Sequence, residues 1–431
     1  MNTFEHLLPE IKDLIFEYIT GKQLLQLSLV STSWYDHIAD SQKCMDKIKI
    51  NIKGNAKTMS NDSKQILKYS KRKYQHLAVS TTSPENAVNI LSEPGRQWKM
   101  IYFKDLQFQT NQDYEQMLSY VGETIQEIHF NQVGITQLTS SYQNKFAFPK
   151  MKILKLYDCD WVVNEPFKFA SELNELYLDY QHTILFGETF RRILKLNKGL
   201  KIISLPGSSI EVLLERNITD DLHFNIETLI ISSFASQRCY QSKRHHLDYF
   251  LKAQSKSIKK LFIADWMGTE ILETIYEHLI FLEELIMTNV DMLEDEIKWS
   301  KLKLKTNNAI LSLNFQDKSE NINIFNAFTC ATPMLKTLKT YSITQEFLDF
   351  GFDMLQNLEA LSVTFLDAKE IKKNILPKLK LYSGIIYDHH LQRSIMSKTK
   401  AQRSNFENIL YENFNEKCNS FTFSNYILKV E

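Results

Sequence analysis

Hydrophobic positions recur along the chain in a six-residue pattern: aliphatic, two variable, aliphatic, one variable, aliphatic. The clearest examples are LNELYL (173–178), LEELIM (282–287), LKTLKT (335–340), LEALSV (358–363) and MKILKL (151–156). Looser matches begin at Met45, Tyr74, Trp98, Ile125, Leu200, Ile226, Ile258, Asn308 and Leu376. Because 43% of the residues are hydrophobic, single matches occur by chance, and the spacing is the informative feature. The steps from Met45 to Leu376 average about 25 residues, which predicts a strand that recurs at the period of a repeat protein.

The segments between these strands space their apolar residues as a helix does. The stripes are Tyr114, Met117, Leu118 and Val121; Leu247, Phe250 and Leu251; and Leu272, Ile275, Tyr276 and Leu279. Strands that alternate with short helices predict an α/β fold of stacked coils. Such coils form a curved solenoid with a parallel sheet on the concave face and helices on the convex face. The step from Ile226 to Ile258 is long, so residues 233–246 are predicted to be an inserted loop.

The start of the chain predicts three short helices instead. The first carries an apolar stripe of Ile11, Leu14, Ile15, Tyr18 and Ile19. Pro9 suits its first turn, and Gly21 is predicted to stop it. The second helix holds Leu24, Leu25, Leu27 and Leu29. Ser31 or Ser33 is expected to cap a third helix, which buries Trp34, Tyr35 and Ile38.

These helices carry more apolar surface than they can bury among themselves, because so short a segment has too little interior. The surplus must meet another surface. Either it packs on the rest of the chain and caps the repeats, or it stays exposed and binds another protein. Both interpretations are compatible with the hydrophobic pattern.

The first residues resemble the F-box family. The matching elements are Leu8-Pro9, Glu10, Ile11, Ile15-Phe16, Leu24-Leu25, Val30 and Trp34. The interval between Leu8-Pro9 and Ile15-Phe16 is one residue shorter than is usual in that family. The resemblance implies docking to the Skp adaptor subunit of a Skp–cullin–F-box ubiquitin ligase. The contacts it implies are Leu7, Leu8, Pro9, Ile11, Leu14, Ile15, Leu24, Leu25, Val30 and Trp34.

The repeated part resembles the leucine-rich-repeat domains that follow an F-box in substrate adaptors. The domains are therefore predicted as an F-box at 1–42, leucine-rich repeats at 43–390, and a mobile loop with a C-terminal cap at 391–431. Variable positions beside the strand leucines point outward and would contact a target protein. The aromatic candidates for this role are Tyr102, His129, Tyr157, Tyr177, Phe262, Tyr341 and Tyr382.

Charge and composition exclude some functions. Lys plus Arg and Asp plus Glu are 51 each, so the chain lacks the basic excess of a general nucleic-acid or membrane-surface binder. Residues 43–73 are locally basic, which is typical of a solvated linker, a nuclear import signal or a contact with an acidic partner. There is no apolar run long enough for a bilayer and no evident signal peptide, and the scattered cysteines favour a cytoplasmic or nuclear location.

No catalytic, phosphate-binding or metal-binding motif is present, so neither a cofactor nor a metal is predicted. The leading hypothesis is a non-catalytic adaptor that bridges an unidentified target protein to the Skp subunit and, through it, to a cullin. The alternative is a leucine-rich-repeat scaffold without a ligase. An enzyme is the third hypothesis, and no motif supports it.

Overall fold

The computed structural model divides the chain into two compact units, residues 1–250 and 251–431. The residues it describes are 6–53, 69–80, 83–137, 146, 148–159, 163, 166–167, 170–179, 187–213, 225–232, 237–292, 302–317, 322–344, 354–367 and 381–386. The predicted mobile loop and C-terminal cap at 391–431 lie outside these residues, as do residues 54–68 of the basic stretch at 43–73.

The first unit begins with helices and continues with strands and crossover helices. Its helices are α1 (Pro9–Phe16), α2 (Gly21–Leu27), α3 (Thr32–Asp40), α4 (Gln42–Met45), α5 (Pro84–Leu91), α6 (Asn111–Ser119) and α7 (Gly187–Leu196), with a 3-10 helix at Gly207–Leu213. Its strands are β1 (Lys49–Lys53), β2 (His76–Ser80), β3 (Met100–Thr110), β4 (Glu127–Gln137), β5 (Ile153–Tyr157), β6 (Glu175–Asp179), β7 (Ile202–Leu205) and β8 (Thr228–Ile231). Helix α8 (Gln237–Ala253) contains the boundary between the units.

The second unit repeats the alternation of strand and helix. Its strands are β9 (Lys260–Met267), β10 (Glu284–Met292), β11 (Ser312–Asp317), β12 (Thr337–Thr344), β13 (Ala360–Asp367) and β14 (Leu381–Ile386). Its helices are α9 (Thr269–His278) and α10 (Ile322–Ala331). Within each unit every strand pairs in parallel with the next strand along the chain. The predicted α/β class, with an N-terminal helical region and a parallel sheet, is confirmed.

Strand register follows the aliphatic pattern. The middle aliphatic positions lie side by side from β2 to β8 and are buried: Leu77, Ile101, Ile128, Leu154, Leu176, Ile203 and Leu229. In the second unit the same position is held by Leu261, Leu285, Leu313, Leu338 and Leu361. Side chains in a strand point to alternate faces, so the aliphatic residues spaced two apart in each motif identify the face that enters the core.

Three predicted motif starts are wrong in register. Ile50 pairs with Leu77, which puts the first repeat's start at Lys47 rather than Met45. The pairing of Leu313 with Leu285 moves the start predicted at Asn308 to Ile310. Tyr382 pairs with Leu361, which moves the last start from Leu376 to Leu379. The first two shifts are of two residues, which keeps the same strand face, so the pattern alone separates such registers poorly. The third is a shift of three residues, which moves the predicted outward positions to the inward face.

The predicted helical stripes are confirmed, and the inserted loop is wrong. Helix α6 buries Tyr114, Met117 and Leu118, and α9 buries Leu272 and Ile275. Residues 237–246, which were assigned to a loop, form the first part of helix α8. The sequence of this part of α8 is polar, and its described side chains are exposed or half-buried, so it lacks the apolar periodicity by which a helix is recognised.

Buried asparagines connect neighbouring crossover turns within each unit. Asn197 is 1% exposed, and its Nδ2 donates to the carbonyls of Ala170 (2.8 Å) and Ile193 (2.6 Å). Its Oδ1 accepts from the backbone N–H of Leu173 at 2.6 Å. In the second unit, Asn307 Nδ2 donates to the carbonyl of Leu279 at 3.0 Å. These amides hydrogen-bond to backbone groups in turns and near helix ends, where regular pairing stops.

The core of the second unit contains a hydroxyl with no hydrogen-bond partner among the described residues. Tyr276 is buried and stacks on Phe328 with ring centroids 6.0 Å apart, while its phenol oxygen is unsatisfied. We expect Tyr276→Phe to raise the free energy of unfolding by about 1 kcal/mol, because the desolvation cost of that hydroxyl disappears and the packing remains. Urea unfolding measures the change.

Tyr114→Phe is the matched control for this prediction. Tyr114 is equally buried, but its hydroxyl donates to the carbonyl of Val163 at 2.8 Å. Its removal leaves that carbonyl unpaired, so we expect a loss of about 1 kcal/mol. If both substitutions lower stability, a partner for the Tyr276 hydroxyl exists in solution and the prediction fails.

Candidate functional site

The N-terminal helices turn an apolar stripe towards solvent. Leu8, Ile11, Leu14, Ile15, Tyr18, Leu29 and Val30 are all exposed, and we call these seven the apolar helix face. Val30, at 68% exposed, has most of its side chain in water. A stable isolated chain rarely exposes so many large apolar side chains within so short a segment. The surplus inferred from the sequence is therefore exposed in the structure.

The interior side of α1 is held by polar and aromatic contacts. Phe16 is buried, with its ring centroid 5.9 Å from that of Trp34 and 5.7 Å from that of His37. The Asp13 carboxylate accepts from Ser41 Oγ at 2.7 Å and lies 3.0 Å from His37 Nε2. These contacts orient α1 with its apolar stripe outward.

Most of the predicted adaptor contacts lie at the surface of the helices. Leu8, Pro9, Ile11, Leu14, Ile15 and Val30 are exposed, and Leu7, Leu25 and Trp34 are half-buried. Leu24 differs, because it is completely buried in the chain itself. In a helix as short as α2 adjacent leucines face different directions, and Leu24 faces the interior. Leu24 is therefore a core residue of the helices and not part of the surface that a partner can reach.

A shallow depression opens beside the apolar helix face. It has a volume of about 350 Å³ and is lined by Ile19, Gln23, Gln26, Leu27 and Val30. Its apolar walls and amide rim are suited to an apolar side chain whose backbone can hydrogen-bond at the edge. The depression shares Val30 with the apolar helix face, and together they are the first candidate binding surface.

Gly21 begins α2 rather than ending α1, contrary to the sequence prediction. Helix α1 ends at Phe16, and Lys47 Nζ donates to the carbonyls of Phe16 (2.9 Å), Glu17 (2.6 Å) and Ile19 (3.2 Å). Thr20 caps α2. A Cβ at Gly21 would lie 2.0 Å from the carbonyl oxygen of Lys47, so the glycine permits a close approach of two backbones.

We expect Gly21→Ala to lower the free energy of unfolding by about 1–3 kcal/mol, because the added methyl group pushes backbone against backbone. Thermal unfolding of the whole chain measures the loss. Gly199→Ala is the control, since a Cβ there meets Asn174 Oδ1 at an ordinary 3.7 Å. Equal melting temperatures for the two variants would contradict the close approach at Gly21.

The helices are joined to the first strands by polar contacts that the sequence did not indicate. The guanidinium of Arg72 lies 4.6 Å from the ring centroid of Tyr35 and donates to Ser28 Oγ. Lys99 Nζ lies 3.1 Å from Asp46 Oδ1. These contacts hold the helices on the strands without covering the apolar helix face. Their partners are remote in sequence, so only the tertiary structure identifies them.

A second candidate surface is the face of the sheet that the inward leucines leave free. Tyr102 and His129 lie on neighbouring strands in an edge-to-face contact, with ring centroids 6.3 Å apart. His129 Nε2 lies 2.6 Å from Glu127 Oε1, and Lys49 Nζ lies 5.2 Å from the Tyr102 centroid. These side chains form one connected polar and aromatic cluster.

Burial sets the protonation of this cluster. It lowers the pKa of His129, so the imidazole is neutral near pH 7 and donates its hydrogen to the Glu127 carboxylate. Burial alone would raise the pKa of Glu127, but the hydrogen bond from His129 and nearby positive charge hold that pKa below its ordinary value. The pair is therefore a hydrogen-bonded carboxylate and imidazole, with the carboxylate ionised.

The predicted target-contact residues divide into three groups. Tyr102, His129 and Tyr157 are half-buried on the sheet face. Tyr177 and Phe262 are each only 8% exposed, and Lys155 Nζ lies 4.8 Å from the ring centroid of Tyr177. Tyr341 and Tyr382 lie in β12 and β14, and their side chains are outside the described part of the structure. Tyr382 also has the register of the buried Leu361.

Three residues with left-handed backbone occupy equivalent positions on successive strands of this face. Asp105, Gln132 and Asp158 have φ of 55°, 56° and 49°. Each directly follows an outward-facing residue of its strand: Lys104, Asn131 and Tyr157 respectively. Left-handed backbone at residues other than glycine is uncommon. Because the strands pair in register, the three left-handed residues lie side by side on β3, β4 and at the end of β5. Gln132 Nε2 donates to Asp158 Oδ2 at 3.2 Å.

Neither a metal site nor a membrane span is found among the described residues. In this part of the chain, no group of three or more His, Cys, Asp or Glu side chains is arranged to hold a metal ion. The described helices also include none with the length and apolar character needed to cross a bilayer.

Comparison with known proteins identifies the first domain. No curated protein sequence matches this chain. A solved structure described as the yeast complex of Rad7 and Elc1 is similar over 86% of this chain and 92% of that chain, with 12% sequence identity and a TM-score of 0.34. Residues 4–45, which carry the apolar helix face, match the family model of the F-box domain, so this part of the chain is an F-box domain.

Proposed function

We propose that this chain is a substrate-recognition adaptor of a Skp–cullin–F-box ubiquitin ligase. The observation that carries the proposal is the apolar helix face within the F-box domain at 4–45. F-box domains bind the Skp adaptor, and an apolar surface already formed before binding needs little reordering. Leu7, Leu8, Pro9, Ile11, Leu14, Ile15, Leu25, Val30 and Trp34 form the contact.

The strands and helices that follow the F-box are leucine-rich repeats in this proposal. Its support is the parallel pairing of each strand with the next and the aligned aliphatic position of successive strands. Stacked repeats of this kind form a solenoid and offer an extended sheet face to a partner. Tyr102, His129 and Tyr157 on that face contact the target protein.

The adaptor performs no bond chemistry. It holds a target lysine near the ubiquitin-transfer machinery, which reaches the complex through the Skp subunit and a cullin. Proximity alone raises the effective concentration of the reacting groups. No catalytic residue in this chain is required by the mechanism.

Titration calorimetry of the purified chain with purified Skp adaptor tests the proposal. We expect a one-to-one complex that also survives size-exclusion chromatography. The absence of binding, for a chain shown by circular dichroism to be folded, would reject the ligase role. A leucine-rich-repeat scaffold would then be the better function, and the Arg72–Tyr35 and Lys99–Asp46 contacts favour it because they make the helices part of the first unit.

A further inference from the structure

The segment between α1 and α2 carries part of the candidate docking surface without being an α-helix itself. Tyr18 belongs to the apolar helix face and is 90% exposed, and Ile19 lines the depression. Their backbone N–H groups donate to the carbonyls three residues earlier, those of Ile15 at 3.3 Å and Phe16 at 3.1 Å. Hydrogen bonds of this short-turn type have poorer geometry than those of an α-helix. The position of both side chains therefore depends on what else holds residues 17–20.

Lys47 holds both ends of this segment. Its ammonium group donates to the carbonyls of Phe16, Glu17 and Ile19. Among the described residues, the carbonyls of Glu17 and Ile19 accept from no other group. At the other end of the segment, the carbonyl of Lys47 leaves no room for a Cβ at Gly21. One residue therefore fixes where the segment begins and where it ends.

The core of the first unit holds Lys47 itself in place. Its N–H donates to the carbonyl of Cys44 at 3.1 Å, and Cys44, Met45 and Ile48 are all buried. The match to the F-box family model ends at residue 45, and the register of β1 makes Lys47 the first position of the first repeat. The repeat part of the chain thus supplies a cation that holds a segment of the F-box domain.

An ammonium group suits this position. The last carbonyls of a helix have no partner within it and carry the negative end of its dipole, so a cation that reaches several of them forms charge-assisted hydrogen bonds. Lys43 provides a contrast, because its Nζ lies 2.9 Å from the side-chain carboxylate of Glu17. Both lysines bring a positive charge to the same region, but only Lys47 restrains the backbone of the segment.

We infer that Lys47 is a positioning residue for adaptor binding, which holds Tyr18 and Ile19 in the arrangement that the Skp adaptor meets. The inference rests on the proposed function and adds to its docking surface a residue outside the F-box domain. Without the ammonium group, residues 17–20 adopt other arrangements as well, and only the fraction of chains in the original one is ready to bind. The apparent affinity falls by that fraction.

The two rate constants of binding separate positioning from direct contact. The bound adaptor itself restrains the segment, so the loss of Lys47 lowers the association rate constant and leaves dissociation nearly unchanged. A residue that contacts the adaptor directly would mainly change the dissociation rate constant.

Lys47→Met tests this inference, because methionine keeps an unbranched apolar side chain and removes the donor. Lys43→Met is the matched control, with the same loss of charge. The whole chain is immobilised, and purified Skp adaptor flows over it in a surface plasmon resonance measurement. In this arrangement, chains that fail to fold lower the signal but not the rate constants.

We expect Lys47→Met to lower the association rate constant by at least about fivefold and to change the dissociation rate constant by less than about twofold. Both constants of Lys43→Met should equal those of the original chain. Hydrogen exchange of the free chains gives a second measurement: the amides of Tyr18 and Ile19 should exchange faster in Lys47→Met and at the original rate in Lys43→Met.

An unchanged association rate constant for Lys47→Met, or unchanged exchange at Tyr18 and Ile19, would overturn the inference. An equal loss of association in Lys43→Met would also overturn it, because long-range attraction by charge would then explain both variants. A loss confined to dissociation would make Lys47 a direct contact instead. If the original chain does not bind Skp, the ligase role fails and this inference fails with it. If the original chain and Lys47→Met bind Skp with equal rate constants, only this inference fails.

Discussion

Val30→Asp is expected to weaken the affinity for the Skp adaptor by at least about 100-fold, which corresponds to about 3 kcal/mol. Val30 is exposed and lines the depression beside Ile19 and Leu27. In the complex its side chain would be buried, so the substitution loses its apolar burial and desolvates a charge that has no partner. The folded chain itself tolerates the aspartate because position 30 is exposed.

The measurement is titration calorimetry with purified Skp adaptor, and the control is Ile280→Asp. Ile280 is an exposed aliphatic residue in the second unit, remote in sequence from the F-box domain. The Ile280→Asp substitution makes the same change of charge and polarity, and the affinity of this variant for the adaptor should equal that of the original chain. Equal affinity of the Val30→Asp variant and the original chain would place the adaptor contact outside the depression.

Asn197→Ala is expected to lower the free energy of unfolding by about 3 kcal/mol or more. The buried amide of Asn197 serves three backbone groups at once: the carbonyls of Ala170 and Ile193 and the N–H of Leu173. The Ile193 carbonyl keeps its bond from the backbone N–H of residue 197. The Ala170 carbonyl and the Leu173 N–H lose the amide in the interior, and each unsatisfied buried group costs about 1–3 kcal/mol. Urea unfolding followed by circular dichroism measures the loss.

Asn174→Ala is the matched control, because Asn174 is exposed in the same unit. Its substitution should change the free energy of unfolding by less than about 0.5 kcal/mol. The prediction is contradicted if the two variants have the same midpoint and the same dependence on urea. A change in the slope for Asn197→Ala alone would indicate that the first unit unfolds in more than one step.

The order of strands could be predicted to a large extent from the sequence. Motifs such as LNELYL at 173–178 and LEALSV at 358–363 coincide with β6 and β13, because the residues that enter the core recur at fixed intervals in each repeat. The F-box domain was likewise recognisable from the spacing of a few apolar residues. The wrong starts at Met45 and Asn308 show the limit, since a strand pattern with period two looks the same after a shift of two residues. The start at Leu376 is wrong by three residues, which also exchanges the inward and outward positions.

Individual contact residues were predicted less well than elements. Leu24 and Leu25 are equivalent in the sequence, yet Leu24 is completely buried and Leu25 is half-buried. Tyr102 and Tyr177 occupy the same register position, but Tyr177 is covered by its neighbours. The reason is that exposure depends on side chains from other strands and helices, which periodicity along one element does not describe.

The sequence by itself determined where most strands lie, that helices alternate with them, and that the first helices carry surplus apolar surface, because these follow from local spacing of residue types. Only the tertiary structure decided that this surface faces solvent, that Gly21 meets the Lys47 carbonyl, and that Arg72 packs on the ring of Tyr35. Each of these facts joins residues that are far apart along the chain. Strand register and helix orientation create such neighbours, and they result from the packing of the whole unit.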